Sequence, residues 1–240
     1  MAKTRRERVR AATMREITQT ARRILAEEGP QAVTLRAIAR EMGMTAPALY
    51  RYFDSHQELV RHLVGDVFND LTEDVRNAIH TVPGGDMTEK FVAASSAFRK
   101  WALAHKQEYG LLFGVPVPGL EVEQGDFAEE GGRRFARTFL ALFLELWRKQ
   151  PFDVPADEEI VPGLHEPLAR YREFLDAPEL PIGVMVRFLG CWVQLQGFVS
   201  LEVFGHLKFA FDDASPMFEQ MLAEVMPRLG LHYPARPSPS

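Results

Sequence analysis

Pro47 and Arg51, with Ala48 and Tyr50 beside them, are the residues whose types and spacing point to a chemistry, and it is hydrogen bonding rather than bond-making. At ~100° per residue, a helix over 46–52 that buries Leu49 and Phe53, four apart, turns Pro47 and Arg51 outward and leaves Ala48 and Tyr50 on the shoulders. That surface is small, basic and hydroxyl-bearing. Little bulk and several donors suit a helix lying in a DNA major groove. The same spacing also serves an ordinary helical hairpin with a solvated outer face.

The elements that must position this surface are legible on either side of it. Leu35, Ile38, Ala39 and Met42 form one apolar helical face, and Gly43 follows as the residue that tolerates the left-handed conformation closing a helix. Thr45 can cap the next helix, and Pro47 sits in its first turn, where a missing N–H costs little. Upstream, Ile17, Ala21, Ile24 and Leu25 mark a helix from about residue 12 that Gly29-Pro30 ends. Before it, residues 2–15 carry six positive charges and one negative, either a frayed terminus or an arm that follows phosphates. Downstream, Ser55 and Glu58 make a capping-box pattern opening a helix through Leu59, Leu63, Val67, Leu71, Val75 and Ile79 to about His80. A helix of about 25 residues is ~38 Å long and is the physical link between a small head and a second domain.

The stretch TLRAIAREMGMTAPALYRYFDSHQEL, and above all ALYRYF at 48–53 with Ser55 and Leu59, resembles the DNA-binding domain of the TetR family of transcriptional regulators over about 12–65. The resemblance implies a homodimer that places one short helix per head in successive major grooves of a near-palindromic operator of double-stranded DNA. It implies that Thr34 and Arg36 touch phosphates, that Thr45, Ala46, Pro47, Ala48 and Arg51 face base edges, and that Tyr50 and Tyr52 bond the DNA backbone. One position departs: the family commonly has lysine after the cap serine, and this chain has His56. A neutral imidazole there supplies a donor without a full charge, so a phosphate contact would be weaker or pH-sensitive.

Charge divides the same way. Residues 1–62 hold twelve Lys/Arg against seven Asp/Glu, whereas the rest hold sixteen against twenty-six. A basic head on an acidic body suggests that the head alone meets a polyanion. A single cysteine, Cys191, excludes an internal disulfide and fits a reducing compartment; with no signal-peptide pattern, a cytoplasmic protein is expected. The most apolar segment, 182–204, contains Arg187, Gln194, Gln196 and Glu202 and reads as a buried helix rather than a membrane span. Seven histidines without metal-ligand spacing, no Gly-x-Ser-x-Gly elbow and no phosphate-cradling glycine loop give no positive sign of an enzyme, a metal or a cofactor.

The fold class expected is all-α: a head over 1–62, a helical body over 63–230 and a disordered tail over 231–240. In the body, helices read over 88–104, 105–113, 133–149, 164–175, 183–209 and 215–229, with a proline-bearing loop over 115–125. HKQEYGLLFG at 105–114, with Trp192, Gly197 and FVSLEVFG at 198–205, resembles the ligand-binding domain of one TetR subgroup. That subgroup carries a tryptophan, a histidine and a glycine in its penultimate long helix; here Gln196 stands at the histidine position, and Lys106 replaces a common proline. The family places its dimer interface on the last two long helices. Candidates for an unknown small apolar ligand are Trp101, Tyr109, Phe113, Phe139, Trp147, Trp192 and Gln196, with core packing the competing role for each aromatic. The function expected is a ligand-released repressor; the alternative is a helical protein-binding adaptor without sequence-specific DNA binding.

Overall fold

Ten α-helices and no strand form among the described residues, 4–115 and 125–233, of this computed structural model. They are α1 (Arg5–Glu28), α2 (Leu35–Glu41), α3 (Ala46–Leu49), α4 (His56–His80), α5 (Met87–Ala104), α6 (Lys106–Phe113), α7 (Phe127–Lys149), α8 (His165–Phe174), α9 (Ile182–Val203) and α10 (Ser215–Val225). The chain divides into two compact units, Met1–Asp70 with Ala104–Gly132, and Leu71–Leu103 with Arg133–Ser240. Helices α4 and α7 each begin in the first and end in the second. The division therefore differs from the boundary expected at 62/63, because α6 and the first turns of α7 pack with the head.

In the first unit, Ile17, Ala21, Ile24 and Leu25 of α1 bury one face together with Leu35, Ile38 and Ala39 of α2, and with Leu59 and Leu63 of α4. The turn between α2 and α3 is closed by Gly43 at φ +64°, where any side chain would be strained. The Met44 N–H donates to the Ala39 carbonyl at 2.8 Å and the Gly43 N–H to the Arg40 carbonyl at 3.2 Å, the paired bonds of a Schellman cap. At the start of α4 the Glu58 N–H donates to the Ser55 hydroxyl at 3.0 Å. The Glu58 carboxylate reaches back one residue further than the standard box, to the Asp54 N–H at 2.5 Å.

Among the longer helices, three bounds differ from the sequence expectation. Helix α1 begins at Arg5, not near 12: the Thr4 hydroxyl accepts from the Glu7 N–H at 3.2 Å while the Glu7 carboxylate accepts from the Thr4 N–H at 2.7 Å. The described part of the basic run is thus a capped helix, not a frayed arm. Helix α7 starts at Phe127, six residues before the expected Arg133. Helix α9 stops at Val203 rather than 209, because Gly205 turns left-handed at φ +76° and the His206 N–H closes on the Leu201 carbonyl at 2.7 Å. Residues 116–124 of the expected loop and 234–240 of the expected tail lie outside the described residues, whereas Leu231 is buried and bonded to Met226.

In the second unit, α9 buries Val184, Met185, Phe188, Leu195, Val199 and Val203 on one face. Arg99 of α5 grips Glu202 through two nitrogens, at 2.7 and 2.5 Å, and lies 4.9 Å from the Phe218 ring centroid on α10. Helix α9 is long and apolar enough to cross a membrane by length and composition alone, with a third of that span buried. Its other face carries Gly190, Val193, Gly197, Leu201 and Phe204, spaced by three and four. Val193 and Leu201 are 66% and 46% exposed on it.

Candidate nucleic-acid interface

Leu49 and Phe53 are both fully buried, and the chain between them is short. Its α-helical part is the single turn Ala46–Leu49, half the expected length, and the backbone carries on as turn through Tyr52. The Tyr52 and Phe53 N–H groups both donate to the Leu49 carbonyl, at 2.8 and 3.1 Å, which fixes the segment against its anchors. Thr45, Pro47 and Arg51 face solvent, Tyr50 is 53% exposed, and Ala46, Ala48 and Tyr52 are half-buried. Thr45 occupies the N-cap position, but its hydroxyl makes no cap hydrogen bond. Thr34, exposed, spends its hydroxyl on capping α2, accepting from the Ala37 N–H at 3.1 Å, and Arg36 projects beside it.

Two contacts secure this surface from outside. The His56 Nε2 lies 2.6 Å from the Val33 carbonyl, and since a carbonyl only accepts, that nitrogen carries the proton. The ring thereby ties the first residue of α4 to the segment before α2, and it commits one donor to the chain's own backbone. Arg10, two turns into α1, donates from Nη1 to the Arg51 carbonyl at 2.7 Å and sits 5.4 Å from the Tyr52 ring centroid, within cation–π range. Arg5, Arg6, Arg8, Arg36 and Arg51 are exposed and make no ion pair with the described residues. The exposed face of the head is therefore a field of unneutralised guanidinium groups around one short helix, which is what a phosphate-lined groove selects.

Behind that face the unit is braced. Arg22 of α1 bonds Glu108 of α6 at 2.6 Å and also pairs with Asp70 of α4. Glu108 is 4% exposed, so its charge is held almost wholly by that guanidinium. Where α4 meets α7 both helices present glycine: a Cβ added at Gly65 would stand 2.1 Å from a Phe127 ring carbon, and one at Gly131 would stand 3.1 Å from the Gly65 Cα. His62 lies between the rings of Phe53 and Phe127, centroids 5.2 and 5.0 Å away. Burial raises the neighbouring Asp66 carboxyl above its ordinary range, against the pull of the His62 charge.

The ligand candidates do not form one cluster. Tyr109 and Phe113 pack in the first unit, with ring centroids 5.0 Å apart and Phe68 5.8 Å beyond. In the second unit, Phe139 and Trp192 join Phe98 and Phe135 in an aromatic group with centroids 5.4 to 6.3 Å apart. Trp147 stands against Phe152 instead, edge to face at 5.2 Å. Trp101 is buried on α5. Gln196 donates its amide along α9 to the Ser200 hydroxyl at 2.9 Å, a partner the sequence reading did not anticipate. Of the seven candidates, Phe139 and Trp192 line an apolar cavity with Phe91, Ser95, Phe143, Phe188, Cys191 and Leu195, and its volume of 40 Å³ holds about one water.

Comparison with known proteins accounts for both parts of the chain. Residues 17–63 match the family described as bacterial regulatory proteins, tetR family, and residues 91–225 match the tetracyclin repressor-like C-terminal domain. The chain belongs to the TetR family. It is 30% identical over 191 residues to the HTH-type transcriptional regulator Rv1816 of Mycobacterium tuberculosis, covering 79% of this chain and 80% of that one. The crystal structure of the regulatory protein SCO4313 superposes with a TM-score of 0.71 at 30% identity, over 93% of this chain and all of that one. A Rhodococcus sp. RHA1 protein of unknown function shares the fold, with a TM-score of 0.64 at 20% identity over 91% and 94% of the two chains. This TetR-family chain is a DNA-binding transcriptional regulator. Sequence reasoning missed the contact of Arg10 with Arg51 and Tyr52, although Thr4-x-x-Glu7 was a readable cap for the helix that carries it. It also missed the Arg22–Glu108 pair, and no local signal marks it, because 86 residues separate the two.

Proposed function

We propose that this TetR-family regulator is a cytoplasmic repressor that binds a near-palindromic operator as a homodimer and leaves it when a small apolar ligand enters the second unit. The observation that carries the reading is the segment 46–52: two fully buried anchors beneath it, and exposed Pro47, Tyr50 and Arg51 with no acidic partner among the described residues. Thr45, Ala46, Pro47, Ala48 and Arg51 would meet base edges, while Thr34, Arg36, Tyr50 and Tyr52 would bond phosphates. The neutral His56 ring spends its single N–H on the Val33 carbonyl, so its Nδ1 has no proton to offer a phosphate. A second copy would pack against the Gly190–Phe204 stripe of α9 and against α10, covering apolar side chains that a lone chain leaves in water. Two heads held ~34–36 Å apart would then match half-sites one DNA turn apart.

The ligand would enter by parting the rings around Phe139 and Trp192, since the cavity there is too small for anything larger than water while closed. Helix α4, which runs from one unit into the other, would carry the change to the head. Operator and ligand would be coupled reciprocally, by roughly 1–3 kcal/mol or more. Nothing in this scheme requires catalysis or a cofactor.

The test is DNA affinity over a salt series, on a duplex selected by the wild-type protein from a random-sequence pool. Tyr50→Ala should weaken binding by about 1.5–3 kcal/mol per head, the worth of a hydrogen bond to a charged group, without lowering the melting temperature. An unchanged affinity rejects this orientation of the segment. An adaptor with no DNA partner would show no tight, steeply salt-dependent state at all.

A further inference from the structure

A cleft of 470 Å³ lies in the second unit between the segment 153–159 and α9. Two guanidinium groups converge on it, Arg187 of α9 and Arg228 from the turn that follows α10. Arg187 is held in place, its Nη2 donating to the Asp153 carbonyl at 3.0 Å. Its Nε is buried with no hydrogen-bond partner among the described residues, an arrangement that costs free energy unless something accepts from the group. Arg228 is exposed and pairs with no carboxylate of the described residues. Two acids line the same cleft without neutralising either arginine. The Glu159 carboxylate accepts from the Ala156 N–H at 2.9 Å, and the Asp153 carboxylate pairs with neither guanidinium. Cys191 lines the cleft as well. Burial raises its thiol, and the charges that pull it back down are those of Arg187 and Arg228, with no carboxylate among them. The potential at that point of the wall is therefore positive. Gln194 donates its amide to the Gly190 carbonyl at 3.1 Å, which leaves the amide oxygen able to accept from a ligand.

We infer that this cleft binds an organic oxyanion, a carboxylate or a phosphate monoester, gripped by Arg187 and Arg228. Guanidinium forks match the paired oxygens of either group. The volume is that of a small-molecule site rather than of a bare ion, so the rest of the ligand lies along Val154, Pro155 and Val186. The site goes beyond the apolar-ligand reading above and stands without it, since the cleft shares only Cys191 with the closed cavity at Phe139 and Trp192. At ~100° per residue, Arg187 and Gln194 lie ~60° and ~40° round α9 from Gly190, on the side away from Val193. The cleft therefore borders the apolar stripe of α9 instead of lying in it.

Cys191 is the chain's single cysteine, and it reports on this site without interference from the arginines of the head. The full chain is alkylated with iodoacetamide, an uncharged reagent, in citrate, in glycerol 3-phosphate, and in chloride at equal ionic strength. A bound oxyanion covers the thiol and cancels the charges that favour its thiolate, so both effects slow the reaction. Citrate or glycerol 3-phosphate should slow it saturably, about tenfold at about ten times the dissociation constant. The anion that acts at the lower concentration names the headgroup. Arg187→Gln/Arg228→Gln should abolish the protection, read as the ratio of rates with and without the anion because the variant's own basal rate changes. Arg228→Gln, which breaks no contact within the chain, keeps the test open if the double variant fails to fold; it should raise the protecting concentration about tenfold or more, the worth of a hydrogen bond to a charged group. A wild-type protein protected no better by either anion than by chloride overturns the inference. Equal protection of the wild type and the Arg228→Gln variant also overturns it, by placing the anion elsewhere. Protection that depends on protein concentration traces the shielding to a second copy and overturns it too.

Discussion

Gly190 and Gly197 allow the proposed dimer face to be tested by the sign of an effect. In the chain taken alone, a Cβ added at either position meets nothing within 4 Å. Each glycine sits in the interior of α9, where alanine is worth about 1 kcal/mol more. Gly190→Ala/Gly197→Ala should therefore stabilise an isolated chain by about 2 kcal/mol. If a second copy's helix lies against this stripe, the same methyl groups are forced into a packed contact at four places per dimer. Overpacking costs about 1–3 kcal/mol for each, so even the low end, about 4 kcal/mol, weakens dimerisation on the order of a thousandfold. Sedimentation equilibrium gives the association constant, and thermal unfolding at concentrations below it gives the stability of the single chain. The expected result is a higher melting temperature at high dilution with a much weaker dimer. A variant that gains stability at every concentration and self-associates as before places the interface elsewhere.

The remaining predictions concern the interior. Gly65→Ala should destabilise by about 1–3 kcal/mol, since its methyl would meet the Phe127 ring and backbone oxygen. Gly132→Ala, whose methyl would rest 3.6 Å from the Phe68 ring, should instead gain about 1 kcal/mol; denaturant melts of the two should move in opposite directions. The Asp66 carboxyl is raised by burial, so folding binds its proton more tightly and its penalty is greatest above the raised value. Asp66→Asn should raise the melting temperature at neutral pH, and the gain should shrink as pH falls toward the ordinary aspartate range; a gain independent of pH would contradict the assignment. Burial pushes the Cys191 thiol up to about 11, leaving about one thiolate in a thousand at pH 8. Alkylation of native protein should be far slower than that of protein unfolded in urea, and equal rates would show that the site opens freely.

The sequence was most informative where structure is local. Gly43, Ser55 and the apolar spacings of α2 and α4 each act through neighbours within four residues, and each placed its element. It misled where a local signal was present but outweighed or overlooked. The apolar run through Leu207 suggested a longer α9, yet Gly205 in the left-handed region ended it. A six-charge terminus suggested fraying, yet Thr4 and Glu7 capped it. The ligand candidates show the other boundary. The sequence reading put Tyr109 and Trp192 together in the body over 63–230, yet Tyr109 packs in the first unit, because assignment to a unit depends on contacts between residues far apart in sequence. Gln196 found its partner one turn along its own helix, which i, i+4 spacing would have offered had the amide been read that way.

The brace behind the head bears on how the chain is made. Arg22 waits for Glu108, and the glycine of α4 waits for Phe127, so the first unit is assembled from two stretches with residues 71–103 between them. A ribosome releases the helix-turn-helix long before it releases α6 and the start of α7. Until about residue 132 has emerged, the nascent head lacks Glu108, one of the two carboxylates that Arg22 pairs with, and the ring that covers Gly65. Translation must therefore run past half the chain before the DNA-facing part can become rigid, and a fragment ending at Asp70 would remain looser than the same residues in the finished protein.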